Sequence, residues 1–101
     1  MKKYRVRLAE AAEQDLVELQ AFLADHDPTA ARRAITIMKT ATRLLASLPF
    51  TCRMNETAHD PFIRELLVPF GNTGYVKLFE IDDSRTVTIL AVRHQREGDY
   101  H

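Results

Sequence analysis

Apolar and polar residues alternate at the start of the chain, and the pattern then changes to a longer period. Tyr4, Val6 and Leu8 alternate with charged residues, which is typical of a half-buried strand ending near Ala9. In residues 10 to about 26 the apolar positions recur every three or four residues and should face the core: Ala12, Leu16, Leu19, Phe22 and Leu23. Acidic residues crowd the first turns of this segment, where they suit the helix dipole. The pattern therefore predicts a strand followed by an amphipathic helix.

A second helix is predicted directly after the first. Asp27 suits the N-cap position, and Pro28 suits the first helical position, where its missing N–H costs nothing. An apolar stripe continues to about Ser47, and Pro49 then stops the helix. Because the link between the two helices is so short, they are predicted to form an antiparallel hairpin.

The second half of the chain predicts a loop and a three-stranded meander. Residues 49–61 show neither period and carry proline near both ends, so they are predicted to connect the helices to the sheet. Three segments rich in β-branched and aromatic residues follow, and turn-forming residues separate them. The segments are residues 62–68, 75–81 and 86–92.

The element order β-α-α-β-β-β predicts an α+β fold. The helical hairpin should pack on one face of a mostly antiparallel four-stranded sheet. The first strand is predicted to lie along an edge of the meander, because its alternation is clean and its outer residues are charged.

Composition limits the class of protein. The 101 residues are enough for one domain with a single core, and the 14 basic residues are balanced by 14 acidic ones. Such a balance provides no general attraction to nucleic acid. The single Cys52 excludes a disulfide framework and a cysteine-rich zinc cluster. With no long apolar stretch and a polar start, the chain is expected to be cytoplasmic, without a membrane segment, a metal or a cofactor.

Four segments together resemble the RelE/ParE superfamily of bacterial toxins from type II toxin–antitoxin systems. They are YRVRLAEAAEQDLVELQAFL, which contains A-x-x-D-L, DPTAARRAITIMKTATRLLASLP, IRELLVPF, and YVKLFEIDDSRTVTILAVRHQRE, which contains A-V-x-H-x-R. They cover nearly the whole chain in the order found in the family. The resemblance implies the RelE/ParE-like fold and a small ParD-like or similar DNA-binding antitoxin, with which the toxin forms a hetero-oligomer.

The resemblance leaves two targets open. RelE-like members cut messenger RNA on the ribosome, whereas ParE-like members poison DNA gyrase without being nucleases. A poison of a protein enzyme needs a complementary surface and no proton-transfer groups, so a neutral net charge is no handicap. The segment 89-ILAVRHQR-96 is similar to the strand end of ParE-like sequences. These features favour the gyrase poison over the metal-independent ribosome-dependent endoribonuclease.

Each target implies its own set of site residues. For a RelE-like nuclease, the resemblance implies that Arg64 contacts the phosphate, that His94 acts as an acid or base, and that Tyr100 stacks or transfers a proton. Recognition of the target or of the antitoxin is expected to involve a wider set: Arg53, Arg64, Arg93, His94, Arg96 and Tyr100.

The same residues also have structural interpretations. Arg64 could pair with an acid across the sheet, and His94 could donate to a backbone carbonyl. Arg96 could belong to a solvated charge cluster, and Tyr100 follows a glycine near the chain end. For the functional interpretation, we expect the carboxyl end of the chain to lie beside Arg64 and to form one continuous recognition surface with it.

Overall fold

The computed structural model describes residues 3–70 and 73–94, which contain two helices and five strands. Strand β1 (Arg5–Leu8) leads into helix α1 (Glu10–His26), and helix α2 (Pro28–Ser47) follows after one residue. A single 3-10 turn comes next, at Pro49–Thr51. The remaining strands are β2 (Arg53–Met54), β3 (Ile63–Phe70), β4 (Thr73–Ile81) and β5 (Thr86–His94).

The strands form one mixed sheet in the order β1-β5-β4-β3-β2. The neighbours β2 and β3, β3 and β4, and β4 and β5 are antiparallel, whereas β1 pairs with β5 in parallel. The prediction of an α+β domain with a mostly antiparallel sheet is confirmed. The edge position predicted for the first strand is confirmed as well, because β1 has a strand on one side only among the described residues.

The predicted number of strands was too small, since β2 lies within the segment expected to be a loop. Two residues are too few to show a period-two pattern, so local sequence carries no signal for this strand. Long-range contacts hold it instead: Arg53 is in register with Glu65, and the Arg53 guanidinium Nε lies 2.8 Å from the Glu65 carboxylate. The strands β3 and β5 end two residues later than predicted, and β4 begins two residues earlier than predicted.

The helical hairpin forms as predicted, and its connection is capped. The Asp27 carboxylate accepts hydrogen bonds from the backbone N–H groups of Thr29 at 3.0 Å and Ala30 at 3.2 Å. These bonds satisfy two of the donors that a helix start leaves without partners. Pro28 occupies the first turn of α2. The chain therefore reverses within one residue, and both helices lie against the sheet.

The core lies between the hairpin and the sheet. Ala12 of α1 and Leu45 of α2 are fully buried against the equally buried Phe79 of β4. Phe22, which the α1 pattern predicted to face the core, is instead 58% exposed. The core-facing residues of α1 are spaced as predicted, but the Phe22 ring lies against the His26 ring near the end of α1, with the centroids 4.5 Å apart.

One charged residue lies in this core. Lys77 of β4 is 2% exposed, and its ammonium donates to the carbonyl oxygen of Met38 at 3.0 Å and to the hydroxyl of Thr42 at 2.7 Å. Burial lowers the pKa of Lys77 from 10.5 to about 8. Lys77 therefore connects the middle of the sheet to the middle of α2.

Candidate functional site

An open groove of about 650 Å³ lies between α1 and the end of β5. Its α1 side contains two apolar side chains, Leu19 and the exposed Phe22, and two acidic ones, Asp15 and Glu18. The β5 side is formed by residues 92–94, which are Val92, Arg93 and His94. Arg93 and His94 belong to the predicted binding set. The groove therefore combines apolar surface with charges of both signs.

The groove exists because β5 is longer than its neighbour β1. Pairing between the two strands ends at Leu8 and Ile89, and the Ala9 N–H makes a last bond to the Ile89 carbonyl. Beyond this point the chain turns into α1, which replaces β1 as the neighbour of β5. A helix has no strand edge to offer, so another group must satisfy the backbone of β5 here.

Asp15 satisfies it. Its carboxylate oxygen Oδ2 accepts the N–H of Val92 at 3.0 Å and a guanidinium N–H of Arg93. The same nitrogen of Arg93 also donates to the Val92 carbonyl at 3.1 Å. Both backbone groups of Val92 are therefore bonded to side chains. This arrangement closes the strand edge at Val92.

His94 packs on the sheet beside the groove. Its ring meets the ring of Tyr75 edge-on, with the centroids 5.3 Å apart and the planes at 79°. Tyr75 is 2% exposed, and burial raises its pKa. An aromatic contact of this kind restrains the orientation of the imidazole. The structure thus gives His94 a packing role and also places it among the groove residues.

Arg64 is held by the loop that precedes β3. Its Nε donates to the Pro61 carbonyl at 2.8 Å, and one terminal nitrogen donates to the carbonyls of Phe50 at 2.9 Å and Cys52 at 3.0 Å. The guanidinium carbon also lies 5.2 Å from the centre of the Phe50 ring. Arg64 therefore ties three points of residues 50–61 together, which is a structural role different from the cross-strand ion pair considered from the sequence.

Arg53 is the most accessible of the predicted residues described here. Its side chain is 58% exposed, although its Nε bonds to Glu65. Glu65 is 9% exposed and also accepts a hydrogen bond from the Asn55 side-chain amide at 2.8 Å. The exposed part of Arg53 remains accessible for contact with a partner.

The expected continuous surface around Arg64 is not formed by the described residues. Arg64 is in register with Phe79, which pairs with Ile89, whereas His94 pairs with Tyr75. Phe79 and Tyr75 are four residues apart, or about 13 Å along the strand. The prediction placed the end of β5 beside Arg64 without knowing the strand register, and it is wrong for the part of that end described here. Arg96 and Tyr100 lie outside the described residues.

Sequence reasoning missed the α1 side of the groove. The A-x-x-D-L segment at residues 12–16 was a usable signal, because Ala12 is fully buried where α1 meets the core and Asp15 reaches β5. Phe22 was assigned to the core from its spacing, although it contributes exposed apolar surface.

Two kinds of site find no support within residues 3–70 and 73–94. These residues contain no group of three or more His, Cys, Asp or Glu side chains arranged to hold a metal ion. In the same part of the chain, neither helix has the length and apolarity needed to cross a membrane.

Comparison with known proteins identifies the family. Residues 6–98 match the sequence model of the ParE toxin of type II toxin-antitoxin system, parDE. The chain belongs to the ParE toxin family. Its fold is similar to that of a chain from a solved structure described as "Chromosomal ParDE TA system from P. aeruginosa", with a TM-score of 0.69 over 90% of this chain and 95% of that one. The two sequences are 13% identical, so this likeness concerns the fold. A search of curated proteins found no match.

Proposed function

We propose that this ParE family member inhibits bacterial growth by binding and poisoning DNA gyrase in the cytoplasm, and that a cognate ParD-like antitoxin neutralises it. Membership of the ParE family is the observation that carries this proposal. The balance of 14 basic and 14 acidic residues agrees with a protein target, since a ribosome would attract a basic protein more strongly.

The positions of Arg64 and His94 favour gyrase over ribosome-bound messenger RNA. A phosphate-stabilising arginine needs free donors directed at the substrate. Three hydrogen bonds and a ring contact engage Arg64 within its own loop. His94 lies about 13 Å further along the sheet. A protein–protein poison requires no such pair of residues to meet.

The groove between α1 and β5 is the proposed antitoxin site. Phe22 and Leu19 offer apolar surface to a partner segment, and Arg93 and His94 border the same groove. An antitoxin tail that is disordered when free would fold as it packs against these residues. The resulting complex is a hetero-oligomer of toxin and antitoxin.

The supercoiling activity of purified DNA gyrase tests the proposed function. Adding the protein should inhibit supercoiling and trap cleaved DNA, because a poison acts on the enzyme–DNA complex. Adding the cognate antitoxin should restore supercoiling. If gyrase were unaffected while messenger RNA was cut on translating ribosomes, the RelE-like function would replace this one.

A pair of α1 variants tests the groove. Phe22→Asp places a charge on the apolar surface of the groove, so we expect the dissociation constant of the antitoxin complex to rise at least about tenfold. Val17→Asp is the matched control, because Val17 is 60% exposed on the same helix and does not line the groove. Isothermal titration calorimetry measures both. Equal effects of the two substitutions would contradict the proposed site.

A further inference from the structure

The outer face of α2 carries a row of cations. Arg32, Lys39 and Arg43 are separated by seven and four residues, which keeps their side chains on one face of the helix. All three are exposed, and together they extend over about 16 Å of the helix axis. The exposed positions between them include Thr36 and Thr40, so this face has a polar centre. We call Arg32, Lys39 and Arg43 the α2 row.

No carboxylate within residues 3–70 and 73–94 forms an ion pair with the α2 row. The ion pairs in these ranges join other residues: Arg7 to Asp82, Arg53 to Glu65 and Arg93 to Asp15. Helix α2 itself contains no aspartate or glutamate, so an acidic partner three or four residues away is absent as well. The three charges therefore remain available to an anionic partner.

Charge separation between the two helices explains how one face can be cationic in a protein with no net charge. Helix α1 contains acidic residues and neither lysine nor arginine, whereas α2 contains lysine and arginine and no acidic residue. The axes of packed helices lie about 8–10 Å apart, which is about one Debye length at physiological salt. A partner in direct contact with the α2 row is therefore attracted by it more strongly than it is repelled by α1.

The composition of this face favours nucleic acid over protein as the partner. The centre of a protein interface is depleted in charge and enriched in aromatic side chains, whereas phosphates are contacted mainly by arginine, lysine and hydroxyl groups. Arginine, which supplies two of the three cations, can hold one phosphate with two parallel hydrogen bonds. The major groove of DNA is about 12 Å wide and admits an α-helix, but that of an RNA duplex is too narrow.

We propose that the α2 row binds the phosphate backbone of duplex DNA, with α2 lying along the major groove. Over about 16 Å of its axis, one DNA strand presents about five phosphates, which is enough for three contacts. The inference rests on the proposed function only in saying which DNA is bound: a poison of the enzyme–DNA complex meets DNA that gyrase already holds. Gyrase then supplies most of the affinity, and the α2 row orients the toxin on the DNA.

Fluorescence anisotropy of a labelled DNA duplex of about 20 base pairs tests the contact without gyrase. Three phosphate contacts give a slope of about 2.7 when log Kd is plotted against log salt concentration. The dissociation constant should therefore rise about 40-fold between about 20 and 80 mM salt. Combining Arg32→Gln with Arg43→Gln removes two contacts and should lower the slope by about 1.8.

The matched control combines Arg5→Gln with Arg7→Gln, which removes the same charge from β1. Tyr4 and Val6 pack on the core, so Arg5 and Arg7 point to the face of the sheet away from the helices. This variant should keep the slope of the unmodified protein. If thermal unfolding showed that the α2 double variant is not folded, Lys39→Gln alone would replace it and should lower the slope by about 0.9.

The proposal would be overturned by an absence of binding at low salt or by equal slopes for the α2 and β1 variants. It would also be overturned if polyglutamate or an RNA duplex bound at least as tightly as the DNA duplex. The DNA contact and the proposed function fail separately. If the α2 row bound DNA while gyrase was unaffected, gyrase poisoning would be wrong and the DNA contact would stand.

Discussion

Replacing Lys77 with methionine is expected to stabilise the protein near neutral pH, and this gain should disappear in alkaline solution. The pKa of Lys77 falls from 10.5 in the unfolded chain to about 8 in the fold, so the folded state disfavours the charge. A shift of this size corresponds to about 3 kcal/mol of unfolding free energy. Methionine has a similar length and carries no charge, and Thr42 continues to donate to the Met38 carbonyl.

The pH dependence distinguishes this effect from a change in packing. Between about pH 8 and 10.5 the unfolded chain binds more protons at Lys77 than the folded chain does, so the native protein gains stability as the pH rises. The Lys77→Met variant lacks this gain. The difference in unfolding free energy between the two proteins should therefore shrink by about 3 kcal/mol across this range, measured by urea denaturation at several pH values.

Lys39→Met is the matched control, since Lys39 is exposed on α2 and its replacement should leave the pH profile unchanged. The raised pKa values of Tyr75 and Cys52 lower native stability at high pH, but they act equally in every variant and cancel in the difference. A constant difference between Lys77→Met and the unmodified protein across the alkaline range would contradict the assigned role of the buried ammonium.

Replacing Arg64 with alanine is expected to lower the unfolding free energy by about 2–4 kcal/mol, because it removes three hydrogen bonds from a charged donor together with the contact on the Phe50 ring. Arg64→Lys should recover less than half of this loss, since an ammonium cannot match the fork of a guanidinium. Chemical denaturation measures the stability, and growth inhibition is followed in parallel.

Growth inhibition should decrease only as far as the folded fraction decreases. Arg5→Ala, which removes an exposed arginine from β1, is the control and should cost little stability. If Arg64→Ala abolished growth inhibition while the unfolding free energy stayed unchanged, Arg64 would be acting on the target directly. That outcome would contradict the structural role that its three carbonyl partners indicate.

The helices and most strands could be predicted from local sequence, because helix caps and apolar periods each involve only a few neighbouring residues. The bounds of α1 and α2 match their predicted ends, since the Asp27-Pro28 cap and the apolar periods need only neighbouring residues. The alternation of Tyr4, Val6 and Leu8 also indicated an edge strand. The turn after β3 was placed less well, because strand ends depend on how far the partner strand continues.

The candidate site could be predicted only in part. His94 and Arg93 were identified from the end of an apolar strand, and both border the groove. Phe22 was assigned to the core because spacing shows which face of a helix is apolar and not where the sheet beneath it ends. Arg64 was expected to act at the surface. Its three carbonyl partners lie in a segment without a sequence period, so no local pattern predicted these bonds.

The order of elements, the helix caps, the edge character of β1 and the balance of charge were determined by the sequence itself, because each depends on residues that are close together along the chain. The strand register, the two-residue strand β2, the burial of Lys77 and the groove beside α1 were decided only by the tertiary structure. The bond from Val92 to Asp15 joins residues 77 positions apart, and Lys77 reaches Met38 across 39. Contacts over such separations form when the whole core assembles, so no local pattern specifies them.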